Sequence, residues 1–457
     1  MTSSDFSLPI PNDARRNLAR SWLLLGLASL LVSGVFSVLL VLARAPYVQN
    51  IFPWVDFFHT ALVVHVDLSV LVWFLAFGGA LWSLNSTPRF LGAGRLALLL
   101  ALLGTLVMAT APFLGAGEAL MSNYIPVLQH PMFLAGLLLF AGGTGVLVLR
   151  AMGAIPPVGQ WMQGAAALRF GLNTAAVSAM LALIAFAWSY FTLPEVLHGK
   201  PYYELLFWGG GHVLQFTYTL LMLVSWLWLA SASNVRLALS PRVALIFFGF
   251  GLVTVFFTPI IYYSYAVTSV EHIKLFTWLM QYGGSLATLP LSLALLHGLW
   301  RAERAQGGAQ PLRAALIASM ILFGAGGVIG FLITGTNVTI PAHYHGSIVG
   351  VTLAFMGLTY YLLPRFGYRR PDMKLARLQP YLYGGGQLLH VLGLVISGGY
   401  GVQRKVAGAA QSLDTVERVA GMGLMGLGGL ISIVGGFLFI YVCYRAMWPQ
   451  ARVSNTG

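Results

Sequence analysis

Charge is what this chain has least of. Only 8% of its 457 residues are Asp, Glu, Lys or Arg, against roughly a quarter in soluble domains. So little charge excludes a soluble globular class for a chain of this length. Cysteine is nearly absent too. The lone Cys443 leaves no partner for a disulfide within the chain, and it sits in the last apolar run as a packing residue. Long polar stretches are also missing, which excludes an inserted soluble domain and makes 1–457 a single unit. The net charge of +13 could point to nucleic acid. The cations lie in short loops between apolar runs, however, so membrane topology accounts for them and no nucleic-acid partner is expected.

Hydrophobic residues make up 58% of the chain. Apolar runs lie near 20–43, 58–83, 95–114, 128–149, 173–193, 204–231, 242–263, 272–299, 314–334, 342–363, 379–400 and 421–444. Each is roughly 20 residues or more, enough to cross a bilayer as a helix. The fold class is therefore an all-α polytopic membrane protein of about twelve transmembrane helices, with the lipid bilayer as its first partner. Residues 1–19 are polar and then basic, with no small-residue cleavage site after them. They are expected to form a cytoplasmic tail and not a cleavable signal. Glycines inside the runs (Gly209-Gly210-Gly211, Gly384-Gly385-Gly386, Gly426, Gly428 and Gly429) suit close helix packing or the approach of a flat cofactor.

Loop charge sets the expected orientation. With the N-terminus inside, nineteen Lys or Arg fall on inside segments, among them Arg15, Arg16, Arg236, Arg301, Arg369 and Lys374. Six fall outside: Arg44, Lys200, Lys274, Arg404, Lys405 and Arg418. This is the positive-inside bias, and it places both termini inside; the membrane is expected to be a bacterial inner (cytoplasmic) one.

The chain is organised around Thr336-Asn337-Val338-Thr339-Ile340-Pro341-Ala342-His343-Tyr344-His345-Gly346. Residues two apart on a helix point about 200° apart, so His343 and His345 face opposite sides and can serve two metal centres. Helices two, six and ten run from outside to inside. His65, His212, His343 and His345 all fall in the first third of theirs, at one depth, where polar groups are costly and usually functional. A low-spin haem takes two axial ligands, which His65 and one member of the pair can supply. The other member can hold a second haem with an open face, and His212 can stand over that face and bind a second metal. Asp67 is the one carboxylate well inside a span; it is a candidate hydrogen-bond partner of a ligand histidine or a proton acceptor. Arg404 and Lys405 are candidates to pair with haem propionates. The other histidines read differently. His59, His198 and His272 look solvated or headgroup-facing, His297 interfacial, His390 packed and hydrogen-bonded, and His130 structural before Pro131.

These residues resemble subunit I of the haem-copper oxidase superfamily, nearest its B-type branch. The resemblance runs through nearly the whole chain. It is carried by Pro341-Ala342-His343-Tyr344-His345 running on to Met356-Gly357-Leu358-Thr359-Tyr360-Tyr361-Leu362-Leu363-Pro364, by Leu206-Phe207-Trp208-Gly209-Gly210-Gly211-His212, and by His65. Asn123-Tyr124-Ile125-Pro126 and the helix ending at Gly401-Val402-Gln403 before Arg404-Lys405 add to it. The resemblance implies two haems. His65 and His345 would hold the low-spin haem and His343 the high-spin haem, with His212 one ligand of the second metal and Arg404 and Lys405 near the propionates. It also implies a second subunit carrying an electron-donor site, and a cytochrome c or cupredoxin-like donor.

Two departures qualify it. The family's adjacent histidines at the end of helix seven are replaced by Thr258-Pro259-Ile260-Ile261-Tyr262-Tyr263-Ser264. A lone imidazole is a poor copper site, so the second metal is expected to be absent, or to be copper or iron weakly held by His212 and oxygen donors. Many oxygen-reducing members carry a tyrosine four residues after the helix-six histidine, where this chain has Phe216. Tyr262, Tyr263 and Tyr218 are the available substitutes, each read more simply as an interface aromatic. The expected activity is reduction of a diatomic gas, NO to nitrous oxide ahead of dioxygen to water. The rival is a non-catalytic haem electron-transfer or gas-binding subunit that has lost the copper site. A secondary transporter also fits twelve helices, but it does not explain four histidines at one depth.

Overall fold

The computed structural model describes residues 5–44, 57–115, 117–158, 163–404 and 413–448. Twelve helices match the twelve apolar runs: α1 (Ala14–Arg44), α2 (Phe57–Leu84), α3 (Leu91–Thr110), α4 (Pro131–Gly153), α5 (Gly164–Thr192), α6 (Gly199–Ala232), α7 (Pro241–Ser264), α8 (Val270–Arg301), α9 (Ala309–Phe331), α10 (Thr339–Leu362), α11 (Met373–Gly399) and α12 (Val416–Met447). Eleven are long and apolar enough to cross a membrane. The other, α11, is diluted by Lys374, Arg377, Gln379, Gln387 and His390. The chain is an integral membrane protein.

Helix starts follow local chemistry. Ser240 caps α7 through the Val243 amide, Asp372 caps α11, and Thr415 caps α12. His130 caps α4 by accepting from the Met132 amide, which gives it the structural role its place before Pro131 implies. A short hairpin, β1 (Glu118–Leu120) on β2 (Val127–Gln129), joins α3 to α4 and carries Tyr124 at its turn. Nothing in the hydropathy pattern announces it.

Neighbours in sequence pack as pairs: α3 on α4, α5 on α6, α9 on α10 and α11 on α12. Glycine makes the α9–α10 contact close. A Cβ on Gly346 would sit 2.6 Å from the Gly326 Cα. The three histidine helices form the centre of the bundle. In α6, α10 and α2, 94%, 78% and 72% of the most apolar stretch is buried, against 50% or less in the other spans. Aromatic rings lock them together. Phe77 of α2 stacks on Phe355 of α10 at 4.2 Å, and Phe74 meets the Tyr218 ring of α6 edge-on at 4.8 Å.

Candidate functional site

His65 half-buries near the start of α2. Its Nδ1 lies 2.9 Å from the Ser33 carbonyl of α1, and the Ser33 hydroxyl lies 2.9 Å away as well. His343 repeats the pattern, with Nδ1 2.7 Å from the Gly326 carbonyl of α9. An imidazole that donates Nδ1–H to a backbone carbonyl keeps its lone pair on Nε2. Metal-binding histidines are held in this way, with the ring orientation and tautomer both fixed. The residues therefore fit haem axial ligation on an observation independent of sequence. The partners are main-chain atoms, so no side-chain signature could have announced them.

The structure reassigns Asp67. It does not support His65, because the Ser33 carbonyl occupies that place. Asp67 opens a π-helical turn, Asp67–Val72, and is fully buried; neither carboxyl oxygen has a hydrogen-bond partner among the described residues. It faces α6 within electrostatic reach of the Tyr218 hydroxyl. Such π turns concentrate at functional sites.

His345, on the opposite side of α10 from His343, packs its ring 4.4 Å from that of His390 on α11. His390 bonds the Met425 carbonyl of α12 through Nδ1 at 2.9 Å, as its expected packed and hydrogen-bonded role requires. Its closeness to His345 was not visible in sequence, since it depends on how α11 leans on α10.

His212 is buried in α6 with both ring nitrogens engaged. Nδ1 lies 2.7 Å from the Trp208 carbonyl, one turn back, and Nε2 lies 2.8 Å from the Tyr124 hydroxyl of the hairpin turn. Burial pushes the Tyr124 hydroxyl well above the usual tyrosine range, with the Tyr344 hydroxyl and Glu204 adding to the effect. It therefore stays protonated and donates to Nε2. The three glycines before His212 receive aromatic rings: Gly209 faces Tyr262, Gly210 faces Phe186 and Gly211 faces Tyr124. The close approach that these glycines permit serves packing. Tyr344 lies beside Arg404, which reaches its hydroxyl, and the Asn123 amide donates to Glu204 at 2.9 Å. Tyr124, Glu204, Tyr344 and Arg404 thus form a polar cap over this end of the bundle. Lys405 lies outside the described residues.

Three expectations about α6, α7 and α8 are corrected. Tyr262 is not an interface aromatic; it is buried, and its hydroxyl bonds the Ser189 hydroxyl at 2.8 Å and the Ala185 carbonyl at 3.0 Å. Tyr218 is likewise buried, whereas Tyr263 is 88% exposed, as an interface residue should be. His272 is not solvated. It is fully buried at the start of α8 and meets the Tyr262 ring edge-on at 4.8 Å. Neither of its nitrogens makes a hydrogen bond among the described residues, although the Tyr265 backbone lies nearby. The start of a helix looks solvent-facing in sequence, but here α7 folds over it. For a copper site the donors do not fit. No three His, Cys, Asp or Glu side chains converge among the described residues, and the one helix-six imidazole is capped by Tyr124.

Comparison with known proteins bears on the family and the fold. A family model described as cytochrome c and quinol oxidase polypeptide I matches residues 17–438. An uncharacterized protein of Rickettsia prowazekii (strain Madrid E) is 30% identical over 498 aligned residues, covering 94% of this chain and 96% of its own. An uncharacterized protein of Aquifex aeolicus (strain VF5) is 29% identical over 360, covering 79% of this chain and 88% of its own. The cryo-EM structure of a heme-copper terminal oxidase dimer superposes with a TM-score of 0.75 at 17% identity, over 97% of this chain and 86% of that one.

Proposed function

The chain belongs to the haem-copper oxidase subunit I family, and from that premise we propose that it is a two-haem membrane reductase acting on a diatomic gas. The observation that carries the reading is the pair His343 and His345, two residues apart on one buried helix, with His343 and the partner histidine His65 each holding Nδ1 on a backbone carbonyl. His65 and His345 are assigned to a low-spin haem and His343 to a high-spin haem, with Arg404 and Lys405 at the propionates. The haems, when bound, supply one-electron transfer and a site for the gas.

The residues around them orient and exclude. The Ser33 and Gly326 carbonyls fix two imidazole planes. Buried Phe216, four residues after His212, offers no hydroxyl, so the reading favours NO over dioxygen. Reduction of NO (2 NO + 2 e⁻ + 2 H⁺ → N₂O + H₂O) needs two electrons and no tyrosine. The second metal is read as absent, because the Tyr124 hydroxyl already holds His212 Nε2. That same bond favours the second reading, a haem subunit that carries electrons or binds gas without turnover. Electrons are assigned to a cytochrome c or cupredoxin-like donor through a second subunit, in a bacterial cytoplasmic membrane with both termini inside.

The haem assignment is tested by replacing His65 with Ala in the purified complex and recording the reduced-minus-oxidised spectrum. Loss of the low-spin signal is expected, and its intact survival overturns the assignment. NO and dioxygen consumption by the reduced wild-type complex then separates the activities. Binding of CO or NO without consumption of either gas selects the second reading.

A further inference from the structure

Opposite the histidine end, three arginines from three helices close on one turn. Arg150 of α4 is 2% exposed. Its Nε donates to the Phe90 carbonyl at 3.2 Å and its Nη2 to the Ser86 hydroxyl at 3.0 Å. Its Nη1 is buried with no partner among the described residues. Arg15 of α1 donates to the Ser86 carbonyl, and Arg169 of α5 reaches the Asn85 side-chain oxygen at 3.5 Å. On the same turn the Thr87 hydroxyl is a second buried group without a partner. Gly94 makes room for the guanidinium, since a Cβ there would sit 2.9 Å from Arg150 Nε.

The charge is unbalanced. Asp13 is taken by Arg15 at 2.7 Å, and neither Arg150 nor Arg169 has a carboxylate partner among the described residues. Arg15 is close enough to act on both of them with like charge. A buried guanidinium with a spare donor and no counter-ion is costly. What satisfies a planar fork of this kind is a carboxylate or a phosphate-type oxyanion, held by two parallel N–H bonds. Basic pockets between membrane helices bind phosphate head groups on this pattern.

We propose that Arg150, Arg169 and Arg15, gathered on the turn 85–90, form a binding site for a phosphate-type oxyanion. Arg150 supplies the buried donor, Thr87 a hydroxyl, and Arg169 and Arg15 two half-buried charges. The proposal is independent of haem content and of the gas reduced.

The test uses the full-length protein in a neutral detergent and follows thermal unfolding. Separate titrations use short-chain phosphatidylglycerol, short-chain phosphatidylcholine and inorganic phosphate. The expected result is a saturable rise in Tm that weakens with salt. A rise with phosphatidylglycerol alone assigns the site to a lipid head group. A rise with inorganic phosphate as well assigns it to a free oxyanion. Arg169→Gln should weaken half-saturation roughly fivefold, the effect of about one surface charge on an anionic group. Arg150 also braces the turn and its loss can prevent folding, so R169Q is read first, with Arg301→Gln as the control expected to titrate like wild type. Equal titration of R169Q and wild type overturns the proposal, as does no response to either anion or an equal response to phosphatidylcholine. The arginines would then serve only to hold the turn.

Discussion

The Tyr124 hydroxyl lies 2.8 Å from His212 Nε2, on the atom through which that imidazole would bind a metal. The other nitrogen is bound to the Trp208 carbonyl at 2.7 Å, so the ring is satisfied on both sides without an ion. Removing the hydroxyl leaves a buried acceptor without a donor, which costs about 1–3 kcal/mol. Tyr124→Phe is therefore expected to lower stability by that amount in a denaturant or thermal unfolding measurement. Unchanged stability would mean that the contact contributes nothing. If instead His212 is a metal ligand, the wild-type complex will hold one tight copper per two haems by elemental analysis.

The same residue predicts a pH dependence. Burial raises the Tyr124 hydroxyl above its ordinary value of 10.0 in the folded protein. In the unfolded chain it ionises first, near pH 10. The unfolded state then binds fewer protons than the folded one, so stability falls as pH rises beyond that point. Unfolding of wild type should become easier above about pH 10 by more than that of Y124F. Parallel curves for the two proteins would rule this contribution out.

Gly330 on α9 faces His343. A Cβ there would meet His343 Nδ1 at 2.8 Å, beside the bond to the Gly326 carbonyl. Gly330→Ala should tilt the His343 ring and shift the CO difference spectrum of the high-spin haem proposed at His343. The low-spin signal assigned to His65 should stay unchanged. Gly327→Ala, where nothing lies within 4 Å, is the control and should leave both spectra alone. Identical CO spectra in G330A and wild type would remove His343 from the high-spin site.

The loop-charge reading places the end of α11 outside the cell membrane. Gln403 is exposed there, and Cys443 is buried and so shielded from reagent. A Gln403→Cys variant should react with a membrane-impermeant maleimide in intact cells. Reaction only after the cytoplasmic face is opened would invert the topology, together with the shared outer depth of the histidines.

Sequence by itself determined the parts of this protein that depend on short-range pattern. Twelve apolar runs became twelve helices because membrane length and hydropathy are local properties. His343 and His345 face opposite ways because helical geometry allows nothing else two residues apart. The departure at Tyr262-Tyr263 was equally plain, since it needs only a position to be read. What tertiary structure decided was every partner supplied by another helix. The Ser33 and Gly326 carbonyls that hold His65 and His343 carry no side-chain identity, so composition cannot announce them. Tyr124 reaches His212 across 88 residues only because a hairpin folds it over α6. His272 and Tyr262 looked like surface residues near helix ends and are buried by the packing of α7, α8 and α5. Burial in a bundle is set by which faces meet, and that is a property of the assembled helices and not of any one of them.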